Sequence, residues 1–177
     1  MKKHLLYLWQ YELIEKAGHF GLQKVRSFGR WSGQAEIEAV AVDDPLGYVY
    51  YSDEDFGVRK YPADPDVANA GVEVAAFGLD GFADDREGIS IFVRESGKGY
   101  ILVSDQQANT FRVFSRTNDH TYLGVVVLST TGSDGSDVVS VGLGSVFPEG
   151  LFVAMSEDRT FQLYDWREIE KALIQHK

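Results

Sequence analysis

An all-β fold of repeated four-stranded antiparallel sheets is what this sequence predicts, and three observations carry the prediction. Short apolar or alternating runs follow one another, separated by Gly- and Asp-rich turns, with a single helix-like stretch at the end. A segment recurs: GYVYYSDED starts at Gly47, GYILVSDQQ at Gly99 and GLFVAMSED at Gly150, at intervals of 52 and 51 residues. An aromatic residue follows each start by 14 or 15 positions, at Tyr61, Phe114 and Tyr164, and Tyr11 lies 50 before Tyr61. About 50 residues per four strands is the period of a β-propeller blade. The strand pattern excludes a helical solenoid, and a sandwich does not require such recurrence.

In order, the elements begin with a strand at 5–13, a turn at 16–21 and a strand at 22–28. GRWSGQ crosses to a hairpin of strands 36–42 and 47–52 about DDPLG. Strands at 57–62 and 72–78 complete that set. The next set is 87–95, 98–104, 109–116 and 121–129, and the last has strands 138–144, 151–156 and 160–166. Residues 167–177 carry helical spacing at Ile169, Leu173 and Ile174 among good helix formers. The chain thus reads as one domain over 1–177: a partial blade at 4–34, then blades at approximately 35–82, 83–132 and 133–177. That is an arc, because ring closure takes about 4–8 blades. An open arc leaves apolar strand faces in water, so either a second copy completes the ring (a homo-oligomer) or the chain is part of a longer protein. Tyr50, Tyr51, Phe92, Phe111, Phe114, Phe152 and Phe161 are expected to pack between blades, and the helix to cover the last blade's outer edge.

Composition narrows the function classes. Of 177 residues, 44% are hydrophobic, which allows a sizeable core. Twenty-seven acidic against 17 basic residues leave a net charge of −10, which argues against nucleic acid as a partner. No apolar run approaches the ~20 residues of a membrane-spanning helix. There is no Cys, so thiolate chemistry and disulfides are excluded, and the four His lack zinc-site spacing.

The acidic residues fall where the blade pattern turns. Antiparallel pairing brings Glu38 to the same sheet edge as Asp53, Glu54 and Asp55. Strand alternation places the loops before each first strand and after each second strand on one face. Those loops hold Glu36 and Glu38, Asp84, Asp85 and Glu87, Asp134 and Asp137, then Asp105 and Gln106, Glu157 and Asp158. Converging carboxylates repel unless a cation sits among them, and hard oxygen donors at this density suit Ca²⁺. The competing reading is a set of solvated acidic turns, since Asp is common in turns.

Beyond these patterns, the sequence resembles the β-propeller phytases, alkaline calcium-dependent phytate hydrolases. The resemblance is carried by QYEL at 10–13, KVRSF at 24–28, EAVAVDDPLGYVYYSDED at 38–55, DREGISIF at 85–92, GKGYILVSDQQAN at 97–109, SDGSDVVSVGLG at 133–144, PEGLFVA at 148–154 and the terminal DWREI. It runs nearly the whole chain and covers the C-terminal half of the family's six-bladed domain. It implies calcium ligands at Glu38, Glu54, Asp85, Glu87 and Asp134, with Glu38, Glu54 and Glu87 serving catalysis. The substrate implied is phytate or another phosphomonoester, attacked by metal-activated water, and the location implied is secreted or periplasmic.

Two departures stand out. The stretch LSTTG before Asp134 lacks an aspartate the family carries. The family's phosphate-binding Lys, Arg and Tyr residues sit mostly in its other half, although His4, with Lys2 and Lys3, falls near the last of them. Arg86 and Lys98 are candidates for further phosphate contacts. The rival expectation is a non-catalytic, calcium-stabilised propeller fragment acting as a binding module.

Overall fold

The computed structural model describes residues 6–117 and 119–175. Lys2, Lys3, His4 and the start of the first expected strand lie outside the described residues. Among the described residues, thirteen strands form four antiparallel sheets in chain order. The first is the hairpin β1 (Leu8–Lys16) and β2 (His19–Phe28). The second holds β3 (Ile37–Asp43), β4 (Tyr48–Asp53), β5 (Gly57–Pro62) and β6 (Ala75–Phe77). The third holds β7 (Arg86–Val93), β8 (Gly99–Asp105), β9 (Thr110–Ser115) and β10 (Tyr122–Val127). The fourth holds β11 (Ser136–Val139), β12 (Leu151–Ser156) and β13 (Thr160–Asp165). Helix α1 (Trp166–Gln175) ends the described chain.

The repeat read from the sequence reappears as strand register. Val49 faces Tyr61, Ile101 faces Phe114 and Phe152 faces Tyr164, so the recurring aromatics occupy one position in three successive sheets. The first strands β3, β7 and β11 lie side by side, and the sheets stack through their faces. Because successive side chains on a strand point to opposite faces, Ile101 and Val103 enter the core shared with the second sheet. Leu102 enters the core shared with the fourth. Likewise Tyr51 and Val49 face the first sheet with Tyr61 and Phe28, while Tyr50 faces the third. A middle strand with neighbours on both faces is apolar throughout, which is why these strands read as continuous hydrophobic runs.

Several boundaries differ from the sequence reading. The first hairpin turns on Ala17 and Gly18 alone, both with positive φ, as a two-residue loop requires, so β2 starts at His19 and not at 22. β6 shrinks to three residues. β11 begins earlier and stops at Val139, because beyond it the chain folds back, with Leu143 bridging Phe147.

Helix α1 is capped by Asp165, whose carboxylate accepts the Arg167 N–H at 2.9 Å, with Glu168 in its first turn. It does more than cover the last sheet. Trp166 stacks on Phe92 with ring centroids 3.6 Å apart, and Tyr100 donates to Glu170 at 2.9 Å, so the helix bridges back to the third sheet. Among the described residues no strand pairs with the outer edge of β13. Phe161, expected in the inter-blade core, is 71% exposed because no further strand lies over it. At the other end of the arc, Trp9, Leu13, Phe20 and Leu22 are exposed on the first hairpin.

Candidate metal centre

The same local device starts β3 and β7. Pairing runs from Ile37–Asp53 to Val40–Tyr51, and from Arg86–Asp105 to Ile89–Val103, so two residues oppose one in each gap. Each is a β-bulge, and the bulged residues include Glu38 and Glu87. Ser52 Oγ accepts the Ala39 N–H at 2.8 Å in the first bulge. By register, Asp134 holds the equivalent place before β11. Gly88 follows Glu87 because the backbones meet there: a Cβ would lie 3.0 Å from Asp134 O and from Ser136 N. Three successive sheets therefore carry an acid to one rim.

Glu54, in the turn after β4, joins them. Its N–H donates to Glu36 O at 3.1 Å, its carboxylate accepts the Glu36 N–H at 2.9 Å, and its carbonyl accepts Arg86 Nη1 at 2.7 Å. One carboxylate oxygen from each of Glu36, Glu38 and Glu54 lies within 4.8 Å of the others, and the same holds for Glu54, Asp85 and Glu87. Two triads thus share Glu54. Asp134 stands outside both, hydrogen-bonded by Gln106 Nε2.

Crowding sets the electrostatics. Burial first, then the charges of Glu38, Glu54, Asp134 and Asp85, push the Glu87 carboxyl up to about 7. Burial and the neighbouring Asp85 push Glu54 up to about 7 as well, against the opposing hydrogen bond from Glu36 N–H. Carboxylates that resist ionisation together accept a divalent cation in place of protons. The all-oxygen donor set and its spacing fit an ion bound at 2.3–2.6 Å, the range for Ca²⁺.

Not every acid expected on the rim belongs to this centre. Asp53 is fully buried and spent elsewhere: it accepts Arg59 Nε at 2.8 Å and both the N–H and hydroxyl of Ser32. Asp105, its equivalent in the third sheet, caps Ala83 N–H at 3.0 Å and pairs with Arg112. Asp55 is exposed and enters neither triad. So Glu38 meets Glu36 and Glu54, and not the four-carboxylate set expected at that edge.

Arg86 is buried, donating to the carbonyls of Gly78 and Glu54, and is a support for Glu54 rather than a phosphate contact. Lys98 sits beyond the opposite end of β7, its carbonyl accepting Arg94 N–H and Arg116 Nη1. Sequence reasoning missed the structural work of Arg86 and the inclusion of Glu36 in a triad. Glu36 was visible as a rim acid; nothing in local pattern marks the reach of Arg86.

Radial antiparallel sheets define a β-propeller-type scaffold, and the acids clustered on its rim could hold a metal ion. The family model for Phytase matches residues 7–172, and the chain belongs to that family, with a phytase-like β-propeller fold. A 3-phytase of Bacillus subtilis (strain 168) is 29% identical over 181 residues, which cover 93% of this chain and 47% of that protein. The chain spans about half the length of the curated relative it matches. Among the described residues no helix is long and apolar enough to cross a membrane.

Proposed function

We propose that this chain carries the metal-binding half of a calcium-dependent phosphomonoesterase acting on phytate, outside the cytoplasm or in the periplasm. The observation that carries the reading is the pair of carboxylate triads sharing Glu54. Glu38, Glu54, Asp85, Glu87 and Asp134, with Glu36 added, would hold the ions. Bound Ca²⁺ would supply the positive charge that draws a phosphate to an acidic rim and polarises it toward water. The chain's own residues set the geometry: bulges carry Glu38 and Glu87 to the side of Glu54, and Arg86 with the Glu36 backbone fixes Glu54. In the cation-free chain the Glu54 and Glu87 carboxyls stand near 7, and an incoming Ca²⁺ would displace their protons. The net reaction adds water across the P–O bond, leaving inorganic phosphate and the inositol hydroxyl. The net charge of −10 makes direct docking of a polyanion repulsive without the cations.

Completion of the ring belongs to the same proposal. Exposed apolar residues at both ends of the arc support a covering partner, either a second copy or the other half of a longer chain. Arg86 and Arg112, which flank the rim, are engaged with carbonyls and with Asp105. This favours a partner that brings phosphate-binding cations, and equally the second reading, a calcium-stabilised module without turnover. Phosphate release from phytate, with EDTA and then restored Ca²⁺, separates the two. Activity abolished by EDTA, recovered with Ca²⁺ and lost in Glu54→Gln supports the hydrolase. Turnover unchanged in Glu54→Gln would remove Glu54 from the site.

A further inference from the structure

At the seam between the second and third sheets, away from the carboxylate triads, a histidine is buried against a lysine. His120, in the turn between β9 and β10, is 3% exposed and holds a left-handed φ of 52°. Its ring stacks on Phe77 of β6 with centroids 4.4 Å apart and meets Tyr50 of β4 edge-on at 5.7 Å. Nε2 lies 3.2 Å from Lys60 Nζ of β5, and Nδ1 lies 2.9 Å from Ser115 O. An ammonium can only donate and a carbonyl can only accept. These two partners therefore fix the imidazole as neutral, with its proton on Nδ1 and with Nε2 accepting from Lys60. Lys60 is itself buried, its Nζ 3.8 Å from the Tyr48 ring centroid. The acids nearby are engaged elsewhere. Asp43, at the end of β3 opposite Glu38, is buried and accepts Arg116 Nε at 2.7 Å and Nη2 at 2.5 Å. Asp119, next to His120 in the turn, is exposed and accepts the Thr121 hydroxyl at 2.6 Å. Tyr48 and Tyr50 carry no charge near neutrality. Burial, joined by the charge of Lys60 against the hydrogen bond to Ser115 O, holds His120 below the ordinary histidine range.

We infer that His120 is an acid-operated latch: neutral, it pins the β9–β10 turn to the second sheet, and protonation at Nε2 sets it against the Lys60 ammonium and releases the turn. The closed turn holds the imidazole neutral, whereas the open turn binds the proton with ordinary affinity. Closure is therefore fully favoured above about 6.5 and is lost as pH falls from there through the lower value of the closed turn. The latch needs no metal and stands apart from the proposed hydrolysis.

Imidazole NMR titration and amide exchange of the full chain in EDTA, from pH 8 to pH 5, test this. Contacts with the Phe77 ring identify His120 among the four histidines. The expected result is the Nδ1–H tautomer at pH 8 and a midpoint below about 6.5. The Ser115 N–H donates to Thr121 O across the turn at 2.8 Å. Its protection should fall about 10–30-fold by pH 5, the upper figure being the preference of an ordinary histidine for its proton there. His120→Gln takes up no proton and should keep that protection level over the whole range. Lys60→Met removes the opposing ammonium and should move the His120 midpoint upward, toward the ordinary value. A parent midpoint at or above about 6.5 overturns the latch. So does Ser115 protection that is equal at pH 5 and pH 8, or that falls as far in His120→Gln as in the parent. Should His120→Gln not fold, the comparison of the parent with Lys60→Met carries the test, and identical midpoints overturn the inference.

Discussion

Replacing Glu87 with Gln should stabilise the cation-free protein at pH 8 while weakening its metal site. In the folded chain burial and four neighbouring acids raise the Glu87 carboxyl from its ordinary 4.5 to about 7. A raised carboxyl means the folded state binds its proton more tightly than the unfolded state does. Stability is therefore highest below about 4.5, falls as pH rises toward 7, and levels off above. That rise, at 1.36 kcal/mol per tenfold change in proton affinity, amounts to about 3 kcal/mol of lost stability at pH 8. The amide of Gln carries no charge, so Glu87→Gln recovers up to that amount. For a chain of this size the gain is about 6–12 °C in melting temperature. The assay is thermal and urea unfolding of both proteins in EDTA at pH 4.5 and pH 8. The two should coincide at pH 4.5 and separate at pH 8, with the variant more stable. Saturating Ca²⁺ should reverse the order, because only the parent keeps the full ligand set. A variant no more stable than the parent at pH 8 in EDTA, or a parent whose stability is flat between the two pH values, would refute the crowding account.

Calcium-induced stabilisation itself should grow with pH, since Glu54 and Glu87 must lose protons to bind. At 100 times the dissociation constant it reaches about 2.7 kcal/mol, and an equal melting shift at pH 5 and pH 8 would contradict it. Arg86→Met should cost about 2–4 kcal/mol by orphaning the buried carbonyl of Glu54 and the half-buried carbonyl of Gly78. It should also lower Ca²⁺ affinity; urea unfolding and calorimetry read the two effects. Trp166→Ala should cost about 3–5 kcal/mol by removing the stack on Phe92. Faster amide exchange across α1 should accompany that loss, and protection unchanged there would show that the helix is held by other contacts.

The legible part of this protein was its repetition. Recurring glycines and aromatics have to occur at fixed intervals in sequence because each sheet uses them at one register position, as Val49–Tyr61, Ile101–Phe114 and Phe152–Tyr164 show. Acids gathering on one rim followed from the same periodicity. Spacing alone could not sort those acids by task. Asp53 and Glu54 are neighbours in sequence, yet Asp53 pairs with Arg59 and Ser32, whereas Glu54 turns toward Glu36, Asp85 and Glu87.

Sequence by itself determined the four-strand period, the face on which the turn carboxylates collect and the helix after the last strand. These are local properties, written in side-chain alternation and turn chemistry. Tertiary structure decided which carboxylates share an ion-sized space, that Arg86 reaches between sheets to the Glu54 carbonyl, and that α1 clamps the third sheet instead of sealing β13. Those outcomes depend on contacts between sheets some 50 residues apart, where burial and competing hydrogen bonds, and not neighbouring residues, select each side chain's partner.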